Sequence, residues 1–235
     1  MRAEQHSIQM YDLAGADIEL RFSPFCWRTR FAVAHKRLPL ETLPWRFTDK
    51  DVIARYGTER VPIILDGETS VHDSWHIAEH LEAAYPDRPT LFGGQAGKGL
   101  ARVVSDWTDL VLHPLILKWK VGDIYAAIHE KDRAYFRGTR EARFGKSLDD
   151  LIAESPHARK LFQQALIPLS ATLEKQRFLS GGVPYYADYI VCAAFQWISA
   201  ISPNQAANAS GAIERWRLDV LERHHSNLDS VLLTQ

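Results

Sequence analysis

Apolar positions in the first third of the chain follow the spacing of short strands alternating with helices. Residues 8–13 form an apolar run of strand length, and residues 24–36 show helical spacing with proline at the first position. A weaker strand pattern covers residues 41–45. From residue 75 apolar side chains recur with helical spacing until Pro86 ends them. With the hairpin described next, this order predicts a thioredoxin-like α/β domain.

Residues 60–74 read Arg-Val-Pro-Ile-Ile-Leu-Asp-Gly-Glu-Thr-Ser-Val-His-Asp-Ser. The Asp-Gly pair between apolar runs predicts a β-hairpin, and Pro62 suits the start of its first strand. A cis Val61–Pro62 bond would turn the main chain of Val61 out of the sheet, where an extended peptide can pair with it. Asp73 and Ser74 open the next helix, where an amine and a carboxylate can both be bound. The segment predicts a site for a small peptide.

The rest of the chain has only helical patterns. Residues 87–97, rich in proline and glycine, predict a linker. An apolar stripe covers residues 100–117, with a break or kink expected at Pro114. Residues 157–177 predict one further helix. Residues 186–201 are apolar on almost every side, which predicts a buried central helix.

These patterns predict two domains, residues 1–87 and 95–235, in a chain of 235 residues. The 28 Lys and Arg against 29 Asp and Glu leave no basic excess for nucleic acid. No apolar run approaches the roughly 18 residues of a membrane span. Cys26 and Cys192 lie far apart and suggest no disulfide framework. We therefore expect a cytoplasmic protein that binds neither nucleic acid nor membrane.

Three segments together resemble the glutathione transferases. They are residues 23–30 (Ser-Pro-Phe-Cys-Trp-Arg-Thr-Arg), the hairpin at 60–74, and residues 85–89 (Tyr-Pro-Asp-Arg-Pro). The strand Tyr-Asp-Leu at 11–13, separated by the loop 14–22 from Ser-Pro, is most similar to the bacterial beta-etherase branch and its fungal serine-type relatives. The resemblance implies a thioredoxin-like domain that binds glutathione, an all-α domain that forms the electrophile pocket, and a homodimer.

The activity that this resemblance implies is conjugation of glutathione to a hydrophobic electrophile, with glutathione as co-substrate and no metal. The branch implies displacement at a carbon that bears an aryl ether next to a ketone. A free thiol with a pKa near 8.5 is mostly protonated at neutral pH. A hydroxyl hydrogen bond and a helix N-terminus would lower that pKa by roughly one to two units. Ser23, directly before Pro24, is the catalytic candidate; its alternative role is that of a helix cap.

The resemblance also assigns the glutathione-binding residues. The main chain of Val61 would pair with the cysteinyl backbone, and Asp73 with Ser74 would hold the γ-glutamyl end. Arg60 either meets the glycyl carboxylate or is a solvated charge. Trp45, Arg46 and Lys50 are alternative contacts for that end. The complete expected set is Ser23, Arg60, Val61, Pro62, Asp73 and Ser74.

Candidates for the electrophile pocket are aromatic residues, which at helical spacing are also common in cores. They are Phe22, Phe25, Trp107, His113, Trp119 and Tyr125.

Other interpretations stay open. Cys26 in Ser-Pro-Phe-Cys resembles the second cysteine of redox members of this superfold, which suggests a thiol-disulfide oxidoreductase. A non-catalytic carrier of hydrophobic ligands would keep the same fold. His76 and His80 belong to a His-x-x-Glu-His motif typical of zinc peptidases. Because the glutathione-site helix already explains that segment and no third ligand is evident, we expect no metal.

One position departs from the family pattern. The buried helix of these proteins usually begins with a Ser or Thr cap three residues before an Asp. Here Asp188 is present, but Tyr185 occupies the cap position and cannot form the short hydroxyl cap. We expect a loss of about 1 kcal/mol in stability unless another group compensates.

Overall fold

The computed structural model describes residues 7–203 and 211–232. Its N-terminal part contains a four-stranded sheet with the order β2-β1-β3-β4. β1 (Ile8–Leu13) runs parallel to β2 (Leu40–Trp45) and antiparallel to β3 (Ile63–Asp66), which pairs with β4 (Thr69–His72). The helices of this part are α1 (Pro24–His35), the short α2 (Lys50–Ile53) with a 3-10 turn (Ala54–Tyr56), and α3 (Ser74–Ala84). This arrangement is thioredoxin-like, as predicted.

The predicted hairpin is present, with its turn one residue later than an Asp-Gly turn would place it. Asp66 pairs with Thr69, so the loop consists of Gly67 and Glu68. Gly67 adopts a φ of 62°, a conformation that glycine tolerates best. At the other end Ile63 pairs with His72. Continuing this register sets residues 61–62 beside residues 73–74, so the two predicted halves of the peptide site are neighbours.

Apart from an isolated bridge between Phe178 and Gly181, the regular elements among the described residues of the C-terminal part are all helices, as predicted. None of the described helices is both long and apolar enough to cross a membrane. The helices are α4 (Gln95–Trp107), α5 (His113–Ala127), α6 (Glu130–Phe144), α7 (Leu148–Ala153), α8 (Ser155–Ala165), α9 (Ile167–Leu173), α10 (Tyr186–Ile201) and α11 (Gly211–Leu232).

Prolines set two of the helix boundaries. The break expected at Pro114 occurs as a π-helical turn (Thr108–Leu112) between α4 and α5. The single helix predicted over residues 157–177 is wrong, because α8 ends at Ala165 and α9 begins at Ile167. Pro168 lacks an N–H group, and its ring would clash with the carbonyl four residues earlier, so an α-helix cannot continue unbroken through this point.

Helix α10 is buried, as predicted, and Asp188 secures its start. The carboxylate of Asp188 accepts hydrogen bonds from the N–H groups of Tyr185 (3.2 Å) and Leu179 (2.7 Å), and from the Ser180 hydroxyl (2.8 Å). It also accepts a bond from the indole N–H of Trp216 in α11 (2.8 Å). The Asp188 half of the reciprocal cap is thus formed although Tyr185 supplies no side-chain cap, and the same carboxylate joins α10 to α11.

The half-buried His35 and the buried His224 together join α1, α10 and α11. The hydroxyl of Tyr189 lies 2.7 Å from Nδ1 of His35 and 3.0 Å from Nε2 of His224. The ring of Phe31 stacks on that of Tyr189 with a centroid distance of 5.6 Å. Burial lowers the pKa of both imidazoles, that of His224 to about 4. The contact between the two parts of the chain therefore depends on neutral histidines.

The unfolding free energy should fall as the pH is lowered from about 6.5 towards about 4. In this range the unfolded chain binds a proton at His224 that the folded protein does not, at a cost of up to about 1.4 kcal/mol per pH unit. Urea denaturation across this range measures the effect. His224→Phe should flatten the profile relative to the parent, while His157→Phe, at an exposed position, should not. Parallel profiles for the parent and His224→Phe would contradict this assignment.

Candidate functional site

A cleft of about 460 Å³ lies between the two parts of the chain. The end of β1, the start of α1 and the segment before β3 form one side, and α5 and α6 form the other. Aromatic side chains supply much of its lining: Phe22, Phe25, Trp45, Phe47, Tyr135, Phe136 and Trp197. Its size and apolar walls are typical of small-molecule sites.

Ser23 lies in this cleft and is also the N-cap of α1. Its Oγ accepts a hydrogen bond from the N–H of Cys26 at 3.2 Å, and Pro24 occupies the first helical position. A hydroxyl has one donor and two acceptor positions, so capping leaves its O–H free to donate to a ligand. The two roles weighed for Ser23 are therefore compatible. The positive end of α1 adds a preference for an anion at this point.

The hairpin brings two predicted glutathione contacts to the cleft. Arg60 and Val61 line it, and the Val61–Pro62 bond is cis, as predicted. Within the described parts of the chain, no hydrogen bond engages the main chain of Val61. Pro62 is buried and does not belong to the cleft lining. The main chain of Val61 is thus available to pair with a ligand.

Asp73 and Ser74 lie beside the cleft rather than in its lining. Oδ1 of Asp73 accepts hydrogen bonds from the N–H groups of Trp75 (2.9 Å) and His76 (3.2 Å). Asp73 has a φ of 71° and a ψ of 128°, which for a residue with a side chain costs of order 1–3 kcal/mol. Ser74 is buried, and its carbonyl accepts the hydroxyl of Tyr186 at 2.7 Å. Such strain is most common at binding sites.

The three alternative contacts for the glycyl end differ in position. The indole of Trp45 lines the cleft. The guanidinium of Arg46 donates to two main-chain carbonyls of the loop after β1, at 3.0 and 3.3 Å. Lys50 forms a 2.5 Å ion pair with Glu59, a cleft residue that the sequence did not indicate. Of the three, only Trp45 reaches the cleft.

The aromatic candidates for the electrophile pocket divide into two groups. Phe22, Phe25 and His113 line the cleft, whereas Trp107, Trp119 and Tyr125 do not. Trp119 instead packs on Phe162 with a centroid distance of 5.6 Å. Tyr125 packs on Phe136 with a centroid distance of 6.3 Å. The expectation for these three residues is corrected, because a position along the chain does not specify which face of a helix turns to the cleft.

An ion pair that the sequence did not reveal joins α1 to the π-helical turn, between a buried guanidinium and a partly exposed carboxylate. Nη2 of Arg28 lies 2.5 Å from Oδ1 of Asp109, and Nη1 lies 3.3 Å from Oδ2. The same carboxylate lies 3.2 Å from Nδ1 of His113. Burial alone would raise the pKa of Asp109, but the hydrogen bonds from His113 and Arg28 hold it at about 2. Burial also lowers the pKa of His113, which keeps this imidazole neutral.

The face of α6 that closes the cleft was not predicted from the sequence. Its members recur at three- and four-residue intervals, which is the signal that would have identified one helix face. They are Tyr135, Phe136, Thr139, Arg140 and Arg143.

Neither the cysteine nor the histidine motif forms a reactive centre here. Cys26 is fully buried, and burial raises the pKa of its thiol well above the usual range. Nε2 of His80 lies 2.8 Å from a carboxylate oxygen of Asp66, whereas His76 is exposed. Residues 7–203 and 211–232 contain no group of three or more metal-binding side chains.

Comparisons with known proteins agree with this geometry. The chain matches the family model of the glutathione S-transferase C-terminal domain over residues 99–230 and that of the N-terminal domain over residues 18–89. It is similar to the crystal structure of glutathione transferase GSTFuA3 from Phanerochaete chrysosporium, with a TM-score of 0.84, 21% identity, and coverage of 94% of this chain and 98% of that one. It is also similar to the crystal structure of glutathione transferase GSTFuA2 from the same fungus. The TM-score is 0.76 at 25% identity, with coverage of 96% of this chain and 95% of that one.

A third similar structure is the glutathione S-transferase CsGST63524 of Ceriporiopsis subvermispora in complex with glutathione. Its TM-score is 0.81 at 19% identity, with coverage of 94% of this chain and 98% of that one. Among curated proteins, the glutathione S-transferase-like protein ustS of Aspergillus flavus is 27% identical over 139 residues, which are 53% of this chain and 49% of the relative. The matched region thus spans about half the length of that curated relative.

The fold and cleft define a thioredoxin-like domain joined to a helical domain that shares its ligand site. Because the C-terminal family model alone spans more than half of the sequence, the chain belongs to the glutathione S-transferase family. The predicted superfamily is confirmed, and the beta-etherase branch stays a prediction.

Replacing Asp109 with Asn should lower the unfolding free energy by about 1–3 kcal/mol, because it leaves the buried Arg28 guanidinium without a negative partner, although solvent at the partly exposed carboxylate screens the pair. Thermal and urea unfolding measure the loss. Asp106→Asn is the matched control, since this exposed carboxylate lies 3.8 Å from Arg102 and its loss should change stability by less than about 0.5 kcal/mol. Equal unfolding free energies for the two variants would show that the pair of Arg28 and Asp109 contributes little to stability.

Proposed function

We propose that this protein binds glutathione as its thiolate and conjugates it, through its sulfur, to a hydrophobic electrophile. The sulfur forms a bond to an electrophilic carbon, and the leaving group departs with the bonding electron pair. The observation that carries this proposal is the position of Ser23. Its hydroxyl lies in the cleft at the N-terminus of α1, with an O–H that capping leaves available.

The remaining contacts of glutathione follow from the hairpin. The free main chain of Val61 pairs with the cysteinyl backbone, and Arg60 binds the glycyl carboxylate. The carboxylate of Asp73 binds the γ-glutamyl amine, while the start of α3 at Ser74 binds the γ-glutamyl carboxylate. The support is the strand register, which sets residues 61–62 beside residues 73–74, and the strained backbone of Asp73.

The finer parts of the proposal rest on the family resemblance. Cleavage of an aryl ether next to a ketone is the reaction that the beta-etherase branch suggests, with detoxification by general conjugation as the broader role. A cytoplasmic homodimer with domains over residues 1–87 and 95–235 completes the picture. The carrier alternative predicts binding of hydrophobic dyes that is independent of glutathione. The oxidoreductase alternative is disfavoured by the full burial of Cys26.

Ser23→Ala should lower conjugation near pH 7 by about tenfold or more, because the thiolate loses a hydrogen bond worth about 1.4 kcal/mol or more. The loss should diminish at higher pH, where the bound thiol ionises without help. The ultraviolet absorbance of the thiolate, titrated in the presence of bound glutathione, should show a raised pKa in the variant.

Ser147→Ala is the matched control, because Ser147 caps α7 through an equivalent bond to the N–H of Asp150 (3.1 Å) and does not line the cleft. It should keep both the activity and the titration of the parent. Cys26→Ser should also retain most activity. An unshifted titration in Ser23→Ala, together with activity abolished in Cys26→Ser, would favour the oxidoreductase mechanism instead.

Asp73→Asn should weaken glutathione binding by about 1.5–3 kcal/mol, since the ligand amine loses its carboxylate partner. Asparagine is as good a helix cap as aspartate, so α3 should keep its stability and the binding loss can be read separately. Calorimetric titration with glutathione measures the change.

Asp17→Asn provides the comparison for Asp73→Asn, because Asp17 is exposed and likewise accepts a main-chain N–H, that of Glu19 at 2.9 Å. Its affinity for glutathione should match the parent's. Unchanged affinity in Asp73→Asn would show that this carboxylate does not bind the ligand.

A further inference from the structure

The cleft contains more positive than negative charge once its internal ion pairs are counted. Its two carboxylates are already paired, Glu59 with Lys50 and Asp109 with Arg28. Three guanidinium groups also line it, those of Arg60, Arg140 and Arg143. The whole chain has a formal net charge of −1, so this excess is a local property of the cleft.

Arg140 and Arg143 form no ion pair with a carboxylate among the described residues. In the described part of the chain, no carboxylate oxygen lies within 4.0 Å of either side chain's nitrogens. By contrast, Arg137 on the same helix lies 3.4 Å from Glu141. Arg143 is exposed, but Arg140 is half-buried, and a partly desolvated cation without a counter-ion is costly. This suggests that a ligand supplies the missing negative charge at Arg140.

The Arg140 guanidinium is held in a fixed orientation. It lies over the ring of Phe136, 4.2 Å from the centroid, and 5.3 Å from that of Phe47. Its Nη1 donates to the hydroxyl of Thr139 at 2.8 Å, and its Nε is buried without a hydrogen-bond partner. Burial and the nearby charge of Arg143 lower the pKa of Arg140 to about 10, so it stays charged at neutral pH.

We propose that the electrophile accepted by this cleft is an aromatic acid, whose carboxylate binds Arg140 and Arg143 while its ring packs against the aromatic walls. The inference rests on the proposed glutathione transfer and names its substrate class. A planar guanidinium held by stacking is suited to a carboxylate because it can donate two parallel hydrogen bonds. Arg60, on the opposite side of the cleft, stays with the glycyl carboxylate of glutathione.

The kinetic test compares two electrophiles of the same shape, para-chloro-meta-nitrobenzoate and its neutral carboxamide. In each, the glutathione thiolate attacks the carbon that bears chlorine, the C–S bond forms, and chloride leaves with the bonding electrons. The kcat/KM of each probe is divided by its uncatalysed rate constant. The parent should prefer the benzoate by about tenfold or more, because its carboxylate gains charge-assisted hydrogen bonds.

Arg140→Gln and Arg143→Gln should each reduce this ratio of benzoate to carboxamide by several fold. Arg137→Gln, which removes a guanidinium from the same helix outside the cleft, should retain the parent's ratio. An equal preference for both probes in the parent overturns the inference. So does a ratio that survives both cleft variants, or a loss confined to glutathione affinity, which would assign the two arginines to glutathione.

A binding measurement separates failure of this inference from failure of the proposed function. Calorimetry with the unreactive para-nitrobenzoate and para-nitrobenzamide requires no turnover and uses the parent chain. Tighter binding of the benzoate, reduced by added salt, is expected even if glutathione transfer proves wrong. If glutathione binds and both electrophiles turn over, but the two unreactive compounds bind equally, the transfer stands and the aromatic-acid assignment is overturned.

Discussion

The ion pair of Arg28 and Asp109 is the constraint on which the geometry of the site depends. A buried guanidinium is stabilised by a negative partner, and that of Arg28 is supplied by the π-helical turn between α4 and α5. Ser23 lies five residues before Arg28 at the start of the same helix. The pair therefore fixes the N-terminal end of α1 relative to the helical wall of the cleft, and it also orients His113 through the shared carboxylate.

Several polar groups serve the fold and the site together. The Ser23 hydroxyl caps α1 as an acceptor, which leaves its O–H available to donate, and Asp73 caps α3 from a strained backbone conformation. At the cis Val61–Pro62 bond, the main-chain groups of Val61 form no hydrogen bond within the described structure. In each case the group that completes local structure also presents a free donor, acceptor or charge to the ligand.

Local signals made the N-terminal half of the site predictable. The hairpin, Ser23 and Asp73 are recognisable because turn chemistry, helix capping and strand patterning act over a few residues. Trp119 was assigned to the pocket by its position along the chain, which does not specify a helix face, and it packs on Phe162 instead. The break before α9 was missed because Pro168 was not weighed against an otherwise continuous pattern. The pair of Arg28 and Asp109 joins residues 81 apart in sequence, and no local pattern reports such a contact.

The central claim is that the start of α1 and the hairpin together bind glutathione in its thiolate form. Calorimetry in two buffers of different ionisation enthalpy measures the protons released when glutathione binds. Since the free thiol is mostly protonated at pH 7 and the bound one should be ionised, we expect release of close to one proton per site. S-methylglutathione, which has no thiol proton, should release none. Binding of glutathione without proton release at pH 7 would contradict the account.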